Sequence, residues 1–343
     1  MRKLLNTLYV TTEDSYLSLD GETVVVAQGD TVLGRIPLHN LEGILYFGYK
    51  GASPALMGAC AKKEISLCFF TPRGKFLART SGPLRGNVVL RETQVLWSCD
   101  PARSNGIGKM FLAGKLYNSR WVLERTLRDH SLRVDEQRLR VAIQQHKEAL
   151  ASLNDCGSAD TLMGVEGLAA KAYFGVFDEL ILRNKDEFRF DGRNRRPPLD
   201  RVNAMLSLCY TLLAGEVSSA LESVGLDPCI GFLHQLRPGR KSLALDLLEE
   251  LRAPVADRFV LSQINLGTIA PSDFQVKENG VVLLDDMGRK KFLGAWQKHK
   301  QESLTHPFLK EKLSWGLVPY AQAMLLARYM RGDLDAYPPF LWK

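Results

Sequence analysis

The sequence predicts an α+β chain: a small β-rich domain at residues 1–97 followed by a larger all-α domain at residues 98–343. Three observations carry this. Short apolar–polar alternations fill the first part, and Asp20-Gly21 separates two of them as a hairpin turn pair that tolerates positive φ. Ser98-Cys99-Asp100-Pro101 is a helix-entry signal, with Asp100 as N-cap and Pro101 at the first helical position. Beyond it the apolar period changes from two to about 3.6.

Composition narrows the class. The chain has 343 residues, enough for two domains and a substantial core, with 45% hydrophobic and 24% charged residues. No run approaches the ~20 apolar residues of a membrane span. The opening MRKLLNTLYVTTEDSYLSLDG turns polar too soon for a signal peptide, so a cytoplasmic location is expected. The six cysteines are scattered without a CxxC pair, which points to reduced, mostly buried thiols and away from a cysteine zinc site. A net charge of +7 permits a nucleic-acid partner without demonstrating one.

In the first domain, strands are expected at Leu4–Thr12, Tyr16–Leu19, Glu22–Ala27, Thr31–Pro37, Gly43–Phe47, Ile65–Phe70 and Lys75–Arg79. Ser53 and Pro54 open a short helix through Lys63. Val88–Trp97 is either a strand or the start of the connection. His39 reads as structural, and Arg79, Arg85 and Arg91 as surface charge that could touch phosphate. Nothing here has catalytic spacing, so dimerisation or partner contact is the expected role.

The second domain opens with helices at Ile107–Thr126 and Val134–Leu153. Ser104–Lys109, SNGIGK, lacks the spacing of a phosphate loop and is expected in a frayed first turn. Ser158–Leu182 is largely apolar yet carries Glu166 inside Gly164-Val165-Glu166-Gly167. Desolvating that carboxylate needs a cation; an arginine or a metal would serve, and the glycines leave room for a ligand to approach. Arg189–Asp200 is a proline-stiffened loop bearing Arg193, Arg195 and Arg196, either a solvated connector or a phosphate contact. Asp200 caps a helix at 201–214 whose Asn203, Ser207 and Tyr210 share a face, as internal hydrogen-bond partners or as substrate positioners.

Gly231–Glu250, GFLHQLRPGRKSLALDLLEE, is the stretch richest in chemistry. His234 closes an apolar run. Arg237, Arg240 and Lys241 lie on a basic turn, and Ser242 is the expected N-cap of a helix at Leu243–Arg252 carrying Asp246 and Glu249 on one face. Further on, a helix is expected at 256–266, a hairpin at 274–284, caps at Asp285-Asp286, a long helix at Pro307–Met330 and a loosely packed tail, YPPFLWK. Glu166, His234, Asp246 and Glu249 make the acid and histidine set with consistent context. Oxygen ligands with one imidazole suit Mg²⁺ or Mn²⁺, and basic loops suit phosphates beside it, which gives metal-dependent phosphodiester chemistry.

At these residues the chain resembles the CRISPR-associated integrase-endonucleases, the universal catalytic proteins of spacer acquisition. The order of segments carries the resemblance over nearly the whole chain: a β-rich front, then GVEGLAAKAYF, RRPPLDRVNAMLSLCYTLL, LDPCIGFLH and LDLLEELRAPVADRFVLSQIN. The opening residues and ENGVVLLDDMGRKKFLGAW look most like the subtype I-C branch. The resemblance implies a Mg²⁺ or Mn²⁺ ion held by Glu166, His234 and Glu249, with Asp246 in support and Glu250 as a competitor for the third place. It implies double-stranded DNA as substrate, both spacer precursor and CRISPR repeat, joined by attack of a 3′-hydroxyl. It implies a homodimer built through the β-rich domain, and a small second adaptation protein as partner. Two other readings share these residues: a structure-specific DNA repair nuclease, and a non-catalytic scaffold whose acids are salt-bridged.

Overall fold

The computed structural model describes residues 6–12, 14–63, 65–72, 76–80, 88–194 and 197–343. The chain forms two compact units, one of Met1–Arg85 with Arg289–Glu302, the other of Gly86–Gly288 with Ser303–Lys343.

The first unit holds β1 (Thr7–Val10), β2 (Ser15–Asp20), β3 (Thr23–Gln28), β4 (Thr31–Pro37), β5 (Gly43–Phe47), α1 (Pro54–Lys62), β6 (Ser66–Phe70) and β7 (Phe76–Arg79). β2, β3 and β4 form an antiparallel meander, turning at Gly21 with φ +57°. The other sheet runs β1-β5-β6-β7, with β1/β5 and β5/β6 parallel and β6/β7 antiparallel. Ser53 caps α1 by accepting the Leu56 N–H at 3.2 Å. Leu17, Val24, Ile44, Tyr46, Leu56 and Leu67 are buried in the core between these elements.

The second unit is mostly helical: α2 (Val88–Cys99), α3 (Pro101–His130), α4 (Glu136–Ser152), α5 (Ala159–Phe174), α6 (Arg201–Ser223) and α7 (Ser242–Leu251). A π-helical turn at Arg252–Asp257 runs straight into α8 (Arg258–Asn265). Then come β8 (Phe274–Val276), β9 (Val282–Leu284), β10 (Ser303–Thr305), β11 (Lys312–Ser314) and α10 (Val318–Met330); α9 (Asp286–Gln301), between β9 and β10 in sequence, belongs from Arg289 onward to the first unit. Asp100 caps α3 as its sequence predicts, accepting the Ala102 and Arg103 amides. Asp285 caps α9 through the Gly288 N–H at 2.7 Å. α6 is long and apolar enough to cross a membrane, which the composition did not suggest; 56% of its most apolar window is buried, and it packs on α7 and α10 as a core helix.

Several sequence expectations change. Val88–Trp97 is helical, because Leu90 and Gln94 lie one turn apart on a buried face while its valines stay exposed. Ser104–Lys109 is not frayed but lies inside α3. There Gly108 lets the helix approach Leu162 and Leu233, where an added Cβ would already be in contact at 3.4 and 3.6 Å. Pro307–Met330 is not one helix: β11 and a 3₁₀ turn precede α10. The hairpins β8–β9 and β10–β11 mean that this unit is not all-α. The C-terminal tail is firmly packed, with Tyr337 and Phe340 buried.

Candidate active site

Three elements of the second unit build the site. Ser158 and Thr161 form a reciprocal capping box that starts α5, and Glu166 lies two turns further along it. Glu249 sits near the end of α7. Between them stands Lys115 of α3, whose ammonium pairs with Glu166 Oε1 and lies 2.6 Å from Glu249 Oε2. The Arg252 guanidinium holds the other Glu249 oxygen at 2.9 Å. Burial alone would raise the Glu249 carboxyl, but Arg252 and Lys115 outweigh it and hold it down at about 2. His234 lies close to Glu249. The side chain of Glu166 is about 20% exposed, and added Cβ atoms at Gly164 and Gly167, on the solvent side of α5, would meet nothing within 4 Å.

His234 is held by Asp246. The fully buried Asp246 carboxylate accepts the Phe232, Leu233 and His234 amides at 2.6, 3.0 and 2.9 Å. It also meets His234 Nδ1 at 2.6 Å. Four donors fill the four lone-pair positions of the carboxylate, so Asp246 is a support. An ionised acceptor here requires a proton on Nδ1, so that in the neutral ring it is Nε2 that keeps the lone pair. Gly231 is required beside it: a Cβ would lie 2.7 Å from Asp246 Oδ2. The approach to the loop is stapled at both sides. Buried Gln94 donates to the Asp227 and Ile230 carbonyls, each at 2.8 Å, and Ser104 donates to the Phe232 carbonyl at 2.8 Å.

Glu250 points elsewhere. Its carboxylate accepts from Tyr337, from Gln322 at 3.0 Å and from the Phe340 amide at 2.8 Å. Burial pushes this carboxyl up to about 7 against those hydrogen bonds. Ser242 is the first residue of α7 rather than its cap; its hydroxyl donates to the Gln235 carbonyl at 3.1 Å, closing the basic turn, while Lys241 takes the N-cap position. Arg237 is exposed on that turn, and Arg240 is half-buried. Arg193 is turned inward: it donates to Asn203 and Ser207 and stacks on Tyr210. Arg195, Arg196 and Arg85 lie outside the described residues. Asn203 and Ser207 are thus internal partners, and so is Tyr210, which donates to the buried Asp257 at 2.5 Å.

Sequence reasoning missed Lys115, Arg252 and Asp257 as parts of this cluster. Lys115 carried a signal: it falls on the buried stripe of Gly108, Phe111, Leu112, Ser119 and Val122, where a lysine needs an acid. Among the described residues no three His, Cys, Asp or Glu side chains are grouped as a ready-made coordination sphere. The donor set nevertheless suits a hard divalent cation. Two carboxylates already converge on one cationic atom, and an imidazole with a free Nε2 stands beside them.

Comparison with known proteins identifies the family. Residues 8–298 match the family model of CRISPR associated protein Cas1. The CRISPR-associated endonuclease Cas1 1 of Chlorobaculum tepidum is 48% identical over 343 residues, covering 100% of both chains. Among solved structures, a casposase bound to integration product superposes with a TM-score of 0.84 at 24% identity, over 98% of this chain and 93% of that one. A Cas6-RT-Cas1–Cas2 complex gives 0.82 at 22% identity, over 100% of this chain and 36% of that one. These two likenesses speak to the fold; the sequence matches over the full length settle kinship, and the chain belongs to the Cas1 family of CRISPR-associated proteins.

Proposed function

We propose that the protein is a metal-dependent DNA endonuclease and integrase of CRISPR adaptation, inserting short DNA fragments into the CRISPR array. The carrying observation is the convergence of Glu166 and Glu249 on one cation beside His234, whose tautomer Asp246 fixes. Glu166, His234 Nε2 and Glu249 would hold a divalent cation, Mg²⁺ or Mn²⁺. When bound, it supplies electrostatic stabilisation to the phosphoryl oxygens.

The protein's own groups place the reactants. The 3′-oxygen of the fragment bonds to phosphorus at the repeat boundary, and the bond from phosphorus to the array's 3′-oxygen breaks. The proton lost by the attacking hydroxyl is balanced by one gained on the departing oxygen. One phosphodiester replaces another, so no nucleotide is consumed. With water as the attacking group the same site cuts DNA. Arg237, Arg240 and Lys241, on the turn that joins His234 to α7, are suited to the flanking phosphates. Inward-facing Arg193 serves Tyr210 instead. The partners we assign are double-stranded DNA, a second copy of this chain, and a small second adaptation protein, all in the cytoplasm. The named assembly of a structural relative with Cas2 supports the last partner.

The ion pairs of Glu166 and Glu249 are the observation that favours a non-catalytic scaffold, since both acids are already neutralised. One variant separates the readings. Glu166→Ala should abolish strand transfer of a supplied 3′-end into a repeat-containing duplex while leaving DNA affinity within about twofold, because a metal ligand acts on the chemical step. Near-normal integration by Glu166→Ala at saturating DNA would refute the assignment and favour the scaffold.

A further inference from the structure

We infer that Lys115 is a built-in counter-cation of the active site: it holds Glu166 and Glu249 together before metal arrives, and it must leave its place when metal binds. The inference rests on the metal site proposed above and adds a residue to it.

The geometry is specific. The Lys115 side chain is only 12% exposed, and its ammonium touches one oxygen of Glu166 and lies 2.6 Å from Glu249 Oε2. A divalent cation shared by those two oxygens would take the position that the ammonium holds. Glu249 is 4% exposed, so without a cation the two carboxylates would face each other across a poorly solvated gap. Arg252 cannot substitute, because it engages the other Glu249 oxygen. Lys115 therefore stabilises the metal-free protein and competes with the metal.

The backbone around Lys115 is fixed, so the exchange is confined to its side chain. On one side Gly114 packs so closely that a Cβ would lie 2.7 Å from Glu250 Cβ. One turn away Asn118 donates to the Glu250 and Phe340 carbonyls, each at 2.7 Å. Displaced from the carboxylates, the ammonium swings on its four-carbon stem and stays tethered at the rim of the site. There a phosphate oxygen is its natural new partner. The lysine thus couples the two arrivals: metal frees the ammonium, and substrate phosphate receives it.

The test is Mn²⁺ binding and metal-free stability of the full chain, measured by titration calorimetry and thermal melting. Lys115→Met keeps the length of the side chain and removes its charge. It should lower the melting temperature without metal, recover it with Mn²⁺, and bind Mn²⁺ about tenfold or more tightly than wild type. Lys115→Arg retains the charge. It should melt near wild type without metal and bind Mn²⁺ no more tightly. Equal or weaker Mn²⁺ affinity in Lys115→Met, with wild-type binding still abolished by Glu166→Ala with His234→Ala, would overturn the inference and leave the metal site standing. Wild-type Mn²⁺ binding that survives that double variant would instead overturn the metal site, and the inference with it.

Discussion

At the scale of residues, the site is a layered set of charges in which each outer group fixes an inner one. Tyr210 lies within cation–π range of both Arg252 and Arg193, with guanidinium carbons 5.0 and 5.3 Å from its ring centre. Its hydroxyl reaches Asp257, which burial pushes up to about 6 despite the hydrogen bond from Tyr210. An acid whose folded pKa is raised binds its proton more tightly in the folded state. Its stabilising contribution is full below the unfolded value of 3.8 and is lost as pH rises through about 6. Asp257→Asn keeps an acceptor for Tyr210 and removes the titration. Wild type should therefore lose on the order of 2 to 3 kcal/mol relative to Asp257→Asn between pH 4 and 6.5 in urea unfolding. Parallel curves for the two proteins would show that Asp257 ionises normally. This layering also explains what the sequence made legible. Glu166, His234, Asp246 and Glu249 announce themselves, because acids and a histidine in apolar surroundings carry an evident cost. Lys115 lies 51 residues before its partner Glu166, and only the packing of α3 against α5 and α7 discloses their contact.

At the scale of elements, α7 holds two separate segments in place. Its Asp246 fastens the His234 loop, and its Glu250 fastens the C-terminal tail. Helix rotation of about 100° per residue turns adjacent Glu249 and Glu250 apart, whereas Asp246 and Glu250, four residues apart, follow one another along the helix one turn on. The tail has its own network: Gln322 of α10 donates to Glu250 and to Tyr337, and meets His306 Nε2 at 3.0 Å. Trp342 gives its amide to Asn118 at 2.9 Å. Composition could not reveal this, since YPPFLWK has prolines and no helical period, and its value lies in partners about 90 residues earlier. Hairpins and caps were legible because their signals are local: Asp20-Gly21, Asn279-Gly280, Ser53-Pro54 and Asp100-Pro101 each act within a few residues. Tyr337→Phe removes one donor to the buried Glu250 carboxyl. It should cost about 1–3 kcal/mol in chemical denaturation, with the packing of the ring retained. An unchanged midpoint would mean that Gln322 and the Phe340 amide satisfy Glu250 alone.

At the scale of the whole molecule, the proposed site lies in the second unit, and the proposed contact with a second copy would lie on the first. Its meander ends at β4, whose outer edge pairs with no strand among the described residues. The opposite edge is different: on β2, the Leu17 amide donates to the Gly51 carbonyl, and the Ser53 amide donates to the Leu17 carbonyl. β4 also exposes Val32 and Leu33, at 49% and 45%, at its start, while its charge and proline, Arg35 and Pro37, lie at its other end. Two such edges related by a twofold axis pair antiparallel, each copy presenting the same residues to the other. This is the basis on which we place the homodimer at the β-rich unit. Val32→Asp with Leu33→Asp sets like charges against each other across that axis and leaves the buried face of β3, with Val24 and Val26, untouched. By light scattering after gel filtration, wild type should have the mass of two chains and the double variant that of one, with equal melting of the second unit. A variant that keeps the two-chain mass, or a wild type that runs as one chain, would move the dimer contact away from β4 or remove it.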